Sequence, residues 1–395
     1  MAGDKFSCDV CIFCALEEEA KAFIKIVSEQ CEVSFKQAFS KRINHAYFST
    51  TLQNNQGEPL IIYVSWPPHY GPIDTSLHLG LTLDEFRPRF VAMTGICAGD
   101  KKKVKLGDLI VAERAFNYEA GKYINDENDN VVQSHDTATY YPHQDVLQFT
   151  RMFDSWKPIV SQLLRPQSKR QQREWLLSRL YDTTAPRFQD IPQTELEQHA
   201  PGWRSFLSEL QQGPTSLLTP ERALRDPEAV KELYYGSEVF PYQDPPQCER
   251  YIAAMASGSG VRSDNPFPKV QQPVRTALAI DMEGAAFYRT LATFPFIRSL
   301  LVKGVCDYAD KEKDDTYHEY AALASAAYIL CFIQEYVTHD LMPYYTTNPT
   351  NGVKNVTTST PEEGNIRHTQ FENVVQSGPT QRLSGVPQEH FIKEL

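Results

Sequence analysis

Four places in the sequence set polar residues directly after an apolar run, where a strand covered on both faces would release its chain into a cleft. The first is CALEEEA, with Glu17, Glu18 and Glu19 after the run that starts at Cys8. Carboxylates at a helix start suit the macrodipole. That accounts for Glu17 and Glu18, and leaves a third that can point into the cleft. The second is TGICAGD, where Thr94, Gly95, Ala98 and Gly99 allow close backbone approach and offer N–H donors. The lysines behind it, Lys101, Lys102, Lys103 and Lys105, form a solvated face in the ordinary case and could also meet phosphates. The third is IDMEGAAFY, where Asp281 and Glu283 end a run and open an Ala-rich helix. A carboxylate there can clamp two adjacent hydroxyls. The fourth is VCDYAD, where Asp307 stands at the mouth of SLLVKGVC and can act as an acid. Each junction alone is equally a helix charge, a tight turn or a cap.

The elements that would hold these residues alternate. Apolar runs at 8–16, 59–66, 89–99 and 107–115 predict strands, and Ala20, Phe23, Ile24 and Val27 fall on one helical face. A second helix is predicted at 74–86. Strand–helix alternation predicts an α/β fold with a mixed or parallel sheet. The texture changes near 150: residues 152–246 are rich in Gln, Arg, Glu, Leu and Pro, and read as a mostly helical insertion. Within it TPERALRDPEAVKELYYG (219–236) has a Thr219 cap, Pro220 at the first position and a Gly236 stop. Strands are predicted again within 248–260, 276–288 and 298–310, followed by an apolar helix at 318–337. Residues 346–395 have the composition of a disordered tail; within it 371–385 reads as a flexible linker in preference to a strand that pairs with copies of itself.

Composition narrows the class. The chain has 395 residues, 41% hydrophobic and 23% charged, which is enough to bury a core and excludes collagen-like and wholly disordered classes. Lys+Arg 39 against Asp+Glu 50 leaves −11, which argues against nucleic-acid or membrane-surface binding but permits a local basic pocket. No run reaches the ~18 apolar residues of a membrane span, the first residues have no apolar signal core, and the 8 Cys sit mostly in apolar runs. A cytoplasmic location is expected. CDVCIFC has Cys-x-x-Cys spacing, but Cys8 and Cys11 should point to opposite faces of a strand and no second ligand pair follows. Core cysteines, and no metal, are expected.

Taken together, ALEEEA (15–20), TGICAG with KLGDLIVAE (105–113), ASGSGV (256–261), IDMEGAA (280–286) and GVCDYADKEKDDTYHEYAALASAAY (304–328) resemble the purine nucleoside phosphorylase/uridine phosphorylase superfamily. Within it the chain is most similar to the methylthioadenosine-nucleosidase-like branch and to the ATP nucleosidase domains fused to immune receptors in fungi and other organisms. The resemblance spans 1–151 and 247–340. It implies a three-layer α/β fold with a mixed central sheet: a core of 1–151 and 247–345, interrupted by the insertion at 152–246 as a possible cap. It implies, too, that Glu19 resembles the glutamate that orients and deprotonates the attacking water. Met282 and Glu283 resemble the pair along the ribose. Asp307 resembles the aspartate that protonates N7 of the purine. Cys306 stands where serine is common in nucleosidases. Ser257, Gly258 and Val261 align with the segment edging the base, although Val261–Arg262 departs from the usual aromatic. Thr94 and Gly95 are expected against the substrate.

The implied reaction is hydrolysis of the N-glycosidic bond of an adenine nucleotide or nucleoside, ATP favoured, through an oxocarbenium-like state. No cofactor is implied. Three carboxylates in the first loop, where phosphorylases place glycine and arginine, favour water over phosphate. A triphosphate would need cations at the rim: Arg42, His69, Lys101, Lys102, Lys103 and Arg262 are the candidates. In SWPPHYGPIDTS (65–76) a glycine-rich turn is replaced, with His69 and Tyr70 as possible substitutes on the ribose 5′ side. Purine nucleoside phosphorylase, methylthioadenosine nucleosidase and a catalytically silent nucleotide-sensing or assembly domain stay open as alternatives. The partner is a small-molecule nucleotide or nucleoside, with a homo-oligomer possible.

Overall fold

The computed structural model describes residues 8–125, 129, 131–181, 191–212, 247–260, 262–311 and 313–342. The helix expected at 219–236, Val261 and the tail at 346–395 lie outside the described residues. The elements run β1 (Val10–Phe13), α1 (Glu17–Cys31), β2 (Lys36–Ser40), β3 (His45–Gln53), β4 (Pro59–Ser65), α2 (Pro72–Phe86), β5 (Phe90–Gly99) and β6 (Leu109–Asn117). Then follow β7 (Gly121–Asn125), β8 (Val131–His135), β9 (Thr139–Tyr140), α3 (Gln144–Met152), α4 (Lys157–Gln162), α5 (Lys169–Tyr181), α6 (Gln193–His199) and α7 (Trp203–Gln212). The last are β10 (Arg250–Ser257), α8 (Phe267–Val270), β11 (Ala277–Asp281), α9 (Gly284–Leu291), β12 (Arg298–Asp307) and α10 (His318–Tyr336).

The sheet is mixed. Its order is β11-β10-β6-β12-β5-β1-β4-β3-β2, with β9 on β6. β1 runs parallel to β4 and β5, and β12 runs parallel to β5 but antiparallel to β6. β11 also pairs antiparallel with β5, Ala279 opposite Gly99 and Ile280 opposite Ala98. Strands β5, β12, β6, β10 and β11 therefore close on themselves, which brings the ends of β5, β11 and β12 around one opening.

Period-2 alternation sorts the side chains into two layers. Val10 and Ile12 of β1, Ala92 of β5 and Leu300 and Val302 of β12 meet Phe23, Ile26 and Val27 of α1 and the buried face of α10. Cys11 and Phe13, Val91 and Met93, and Leu301 meet Leu79, Leu83 and Phe86 of α2 and Phe287 and Leu291 of α9. Burial of this kind stabilises by roughly 25 cal/mol per Å² of apolar surface. α10 comes close because Gly304 faces it: a Cβ there would lie 2.3 Å from the Ala321 carbonyl oxygen.

Three details depart from the expectations. β2 and β3 were not foreseen, because the outer strand KQAFS is mostly exposed and lacks an apolar run. The exposed hairpin β7–β8 forms a separate two-stranded sheet. Cys8 and Cys11 pack in the same layer, since β1 starts only at Val10 and Cys8 precedes the strict alternation. The described part of the insertion is helical, and Arg165 ties its start to the core by donating to the Leu106 carbonyl and lying over the Tyr317 and Tyr320 rings. Among the described residues, no helix is long and apolar enough to cross a membrane.

Candidate active site

A cavity of about 220 Å³ opens where β1, β5, β11 and β12 end. Glu19, Tyr70, Ile96–Ala98, Ile280–Glu283, Cys306, Asp307, Arg262, Lys313 and His318 are among its walls. Of the first-loop carboxylates only Glu19 enters. Glu17 faces solvent and pairs with Lys21 at 2.9 Å, and Glu18 is exposed. The argument against phosphate thus falls to Glu19 alone.

Glu19 is buried and held on both oxygens. Its Oε2 accepts from the Ala15 and Leu16 N–H groups at 2.8 and 3.1 Å. Its Oε1 accepts from the Ile96 N–H at 2.9 Å and lies 3.4 Å from Lys303 Nζ. Gly95 makes room: its φ is +151°, and a Cβ would stand 1.9 Å from Glu19 Oε1. Thr94 and Gly95 do not line the cavity, contrary to expectation. Both turn to Ser325 of α10, whose hydroxyl meets Thr94 Oγ1 at 2.9 Å and the Gly95 N–H at 3.2 Å. Gly95 acts on the site through the room it leaves for Glu19.

Lys303 is the residue that sequence reasoning missed. It comes from β12, its side chain is 1% exposed, and Glu19, Asp281 and Glu283 surround it. Burial disfavours its ammonium, but Glu19, Glu283 and Asp281 together outweigh that and hold its pKa above the ordinary lysine value. Burial also pushes the Glu283 carboxyl up, from 4.5 to about 7, against the opposing pull of Lys303. Glu283 Oε1 accepts from the Gly71 N–H at the start of α2, 3.0 Å away. The Asp281 carboxyl is raised by burial too, and Ser257 donates to it at 2.6 Å. Ser257 therefore sits behind the wall rather than in it; its hydroxyl also accepts from the Ala285 N–H at 2.8 Å. A lysine inside SLLVKGVC was the available signal, because a buried ammonium requires a buried carboxylate.

At the outer end, Asp307 Oδ1 accepts from the Ala309 N–H at 2.7 Å and Oδ2 pairs with Lys313 at 3.2 Å. The Cys306 thiol lies 3.5 Å from Asp307 Oδ2 and 3.5 Å from the Cys97 carbonyl. Burial raises the pKa of both cavity thiols, Cys97 and Cys306, well above the ordinary value, so neither is a ready nucleophile. Among the described residues, Cys306, Asp307 and His318 bring three metal-capable atoms within 4.8 Å of one another. The Lys313 ammonium on Asp307 and the protonated Cys306 thiol oppose a cation there.

The expected phosphate-binding rim is largely corrected. Arg42 is taken by Asp84 and Glu85 on the surface. Lys101 pairs with Asp310 and Lys103 with Asp100. His69 and Lys102 are exposed. None of these five lines the cavity, because local acids and solvent satisfy them. Arg262 does line it, with Asp264 holding its Nε at 2.8 Å. Tyr70 lines the cavity in place of His69.

The fold is a mixed central sheet between helical layers, with carboxylates gathered near the ends of β1, β11 and β12. Residues 9–154 match the profile of the phosphorylase superfamily. Over 74 residues the chain is 35% identical to ATP nucleosidase Cap17 of Escherichia coli strain KTE188, a stretch covering 19% of this chain and 14% of that protein. Over 56 residues it is 38% identical to the uncharacterized protein y4jS of Sinorhizobium fredii, 14% of each chain. The chain thus spans only a small part of these curated relatives. Among solved structures it is similar to a 5′-methylthioadenosine/S-adenosylhomocysteine nucleosidase of Colwellia psychrerythraea in complex with adenine. That match has a TM-score of 0.47 and 15% identity, and covers 86% of this chain and 98% of that one. It is also similar to futalosine hydrolase of Helicobacter pylori, with a TM-score of 0.46 and 13% identity, covering 82% and 97%.

Proposed function

We propose that the chain is a nucleosidase that hydrolyses the N-glycosidic bond of an adenine nucleotide, ATP favoured, and releases adenine. The observation that carries this is the buried centre: Glu19, Asp281 and Glu283 surround one ammonium, Lys303, and all three carboxylates line a cavity that Asp307 also lines. Breaking a ribosyl bond builds positive charge on the sugar. Fixed carboxylates in a water-poor site favour that charge where it develops.

Each residue then has a role. Glu19, aimed by three backbone N–H groups, positions a water and takes its proton. Glu283 receives the ribose hydroxyls, with Met282 along the sugar. At the far end the base leaves with a proton delivered near Asp307. Cys306 and the Ile96–Ala98 wall flank the base.

ATP is preferred on two grounds: the short stretch shared with an ATP nucleosidase of Escherichia coli and the guanidinium of Arg262 at the wall. A second reading, a methylthio or other small apolar 5′ group, is favoured by the apolar wall of Leu16, Ile96, Ile280 and Met282. Incubation with ATP, AMP, adenosine and methylthioadenosine in phosphate-free buffer, with chromatography of the products, tests both. Adenine released fastest from ATP supports the first. Faster release from methylthioadenosine supports the second, and calorimetric binding without release points to a sensing domain.

A further inference from the structure

We propose that Arg165, from the insertion, is a positioning residue for the leaving-group end of the site: it locks the segment between β12 and α10 into the conformation that aims Asp307 at the base. This rests on the nucleosidase reading, in which Asp307 serves the departing purine. The segment and its flanks supply much of that end of the cavity, since Asp307, Ala309, Lys313 and His318 all line it.

The chain is strained directly beside Asp307. Ala309 has φ +50°, in the left-handed region that a Cβ disfavours. This turn brings the Ala309 N–H back to Asp307 Oδ1 at 2.7 Å. The Ala309 carbonyl accepts from the Asn265 N–H at 2.9 Å. Such a conformation persists only where the surrounding contacts over-determine it. Arg165 stands behind those contacts at both ends of the segment.

At the near end the link runs through Leu106. Tyr308 follows Asp307 directly, and its hydroxyl accepts from the Leu106 N–H at 3.1 Å. The Leu106 carbonyl in turn accepts from Arg165. The next residue, Gly107, donates to the Val305 carbonyl of β12 at 2.7 Å. A Cβ on Gly107 would stand 2.7 Å from the Tyr320 ring and 3.2 Å from an Arg165 nitrogen, so both pack directly on this turn.

At the far end the guanidinium lies 6.0 Å from the Tyr317 ring centroid and 5.6 Å from that of Tyr320. Both rings are buried and stand at the start of α10. A half-buried cation over two such rings is held more firmly than an ion pair in solvent. The other ties of the segment, Lys101 on Asp310 at 3.2 Å and Lys169 on Asp314 at 3.5 Å, are surface pairs that solvent screens. The planar fork matters as well as the charge, because it reaches the carbonyl and the rings at once.

Amide hydrogen exchange and turnover together test it. In Arg165→Met, exchange should quicken in the peptides containing Ala309 and Tyr317, while those of β1, β5 and α1 keep their protection. Under conditions where the variant is folded, a displacement of about 1 Å at Asp307 should lower kcat on the cleaved purine nucleotide by up to about 10²-fold, with KM little changed. Arg165→Lys should recover only part of that loss. In Arg165→Ala, guanidinium ion at concentrations far below those that unfold the protein should raise kcat, and urea should not. Unchanged exchange at Ala309 and Tyr317 in Arg165→Met overturns the clamp. Faster exchange there with unchanged kcat overturns its bearing on catalysis. A loss of kcat that comes with faster exchange throughout the molecule also overturns the role, since it marks a general loss of stability. A wild type that releases no base from any purine nucleotide overturns the nucleosidase reading, and the exchange result then still decides whether Arg165 holds the segment.

Discussion

Two lysines stand near one cavity, Lys313 in its wall and Lys303 buried 3.4 Å from Glu19, and their surroundings differ. Lys303 is 1% exposed, stands inside a strand and faces three carboxylates. Lys313 is 30% exposed, stands in a connecting segment and faces one. The inner lysine cannot leave or lose its charge without exposing buried carboxylates to one another. It fixes geometry and field. The outer lysine can part from Asp307 with solvent close by. Positive charge on the sugar is met by a rigid centre, and negative charge on the base by an adaptable one.

The comparison breaks most visibly at Lys303. Lys303→Met should cost about 3–5 kcal/mol of stability, as removal of one partner of a buried pair does, and abolish turnover. Urea unfolding with circular dichroism measures the first. A variant as stable as the wild type would mean that the carboxylates are neutral and need no partner.

Glu19→Gln is the next largest effect. Its one amide oxygen can still accept from the Ala15 and Leu16 N–H groups, but the amide nitrogen cannot accept from Ile96 and cannot take a proton from water. Base release should fall to background while calorimetric affinity for the nucleotide is largely kept. Turnover near the wild-type rate would remove Glu19 from the chemistry.

Glu283 sharpens the comparison through pH. Its carboxyl is raised from 4.5 to about 7, so the folded state holds its proton more tightly than the unfolded chain does. That stabilisation is complete below about 4.5 and is lost as pH rises to about 7. The same ionisation creates the acceptor that ribose hydroxyls need, so kcat/KM should climb as pH passes about 7 while stability declines. Glu283→Gln should flatten both limbs and weaken substrate binding. A variant that retains the rise assigns it elsewhere.

The smallest effect is expected at the exposed lysines outside the cavity. Lys102 and Lys103 changed together to Ala should leave ATP cleavage within a few-fold of wild type, since neither lines the cavity. Arg262→Ala should raise KM for ATP more than KM for adenosine.

Much of this arrangement was legible in the sequence, because the four junctions occur together although each alone has an ordinary structural reading. Glu19, Glu283 and Asp307 stand at the ends of strands whose apolar character is plain, and the structure brings all three to one cavity. What escaped reading has a common physical cause: partner choice. A run such as Lys101–Lys103 shows its charge but not the acids that take it up, Asp310 and Asp100. Lys303 looked like one polar break in SLLVKGVC, and its three partners come from the ends of distant elements. Lys313 sits in KEKDD, a run like any solvated turn, and only the fold of that segment turns it toward Asp307. β2 went unseen because a half-exposed edge strand has no apolar run to announce it.

The central claim is that a water held by Glu19 attacks the sugar while the base leaves from the opposite end. The most direct measurement is turnover of ATP in ¹⁸O-labelled water without phosphate, followed by mass spectrometry of both products. The account predicts free adenine together with a ribose triphosphate carrying one heavy oxygen at C1′. Base release that begins only when phosphate is added, with a ribose 1-phosphate as the second product, would contradict it.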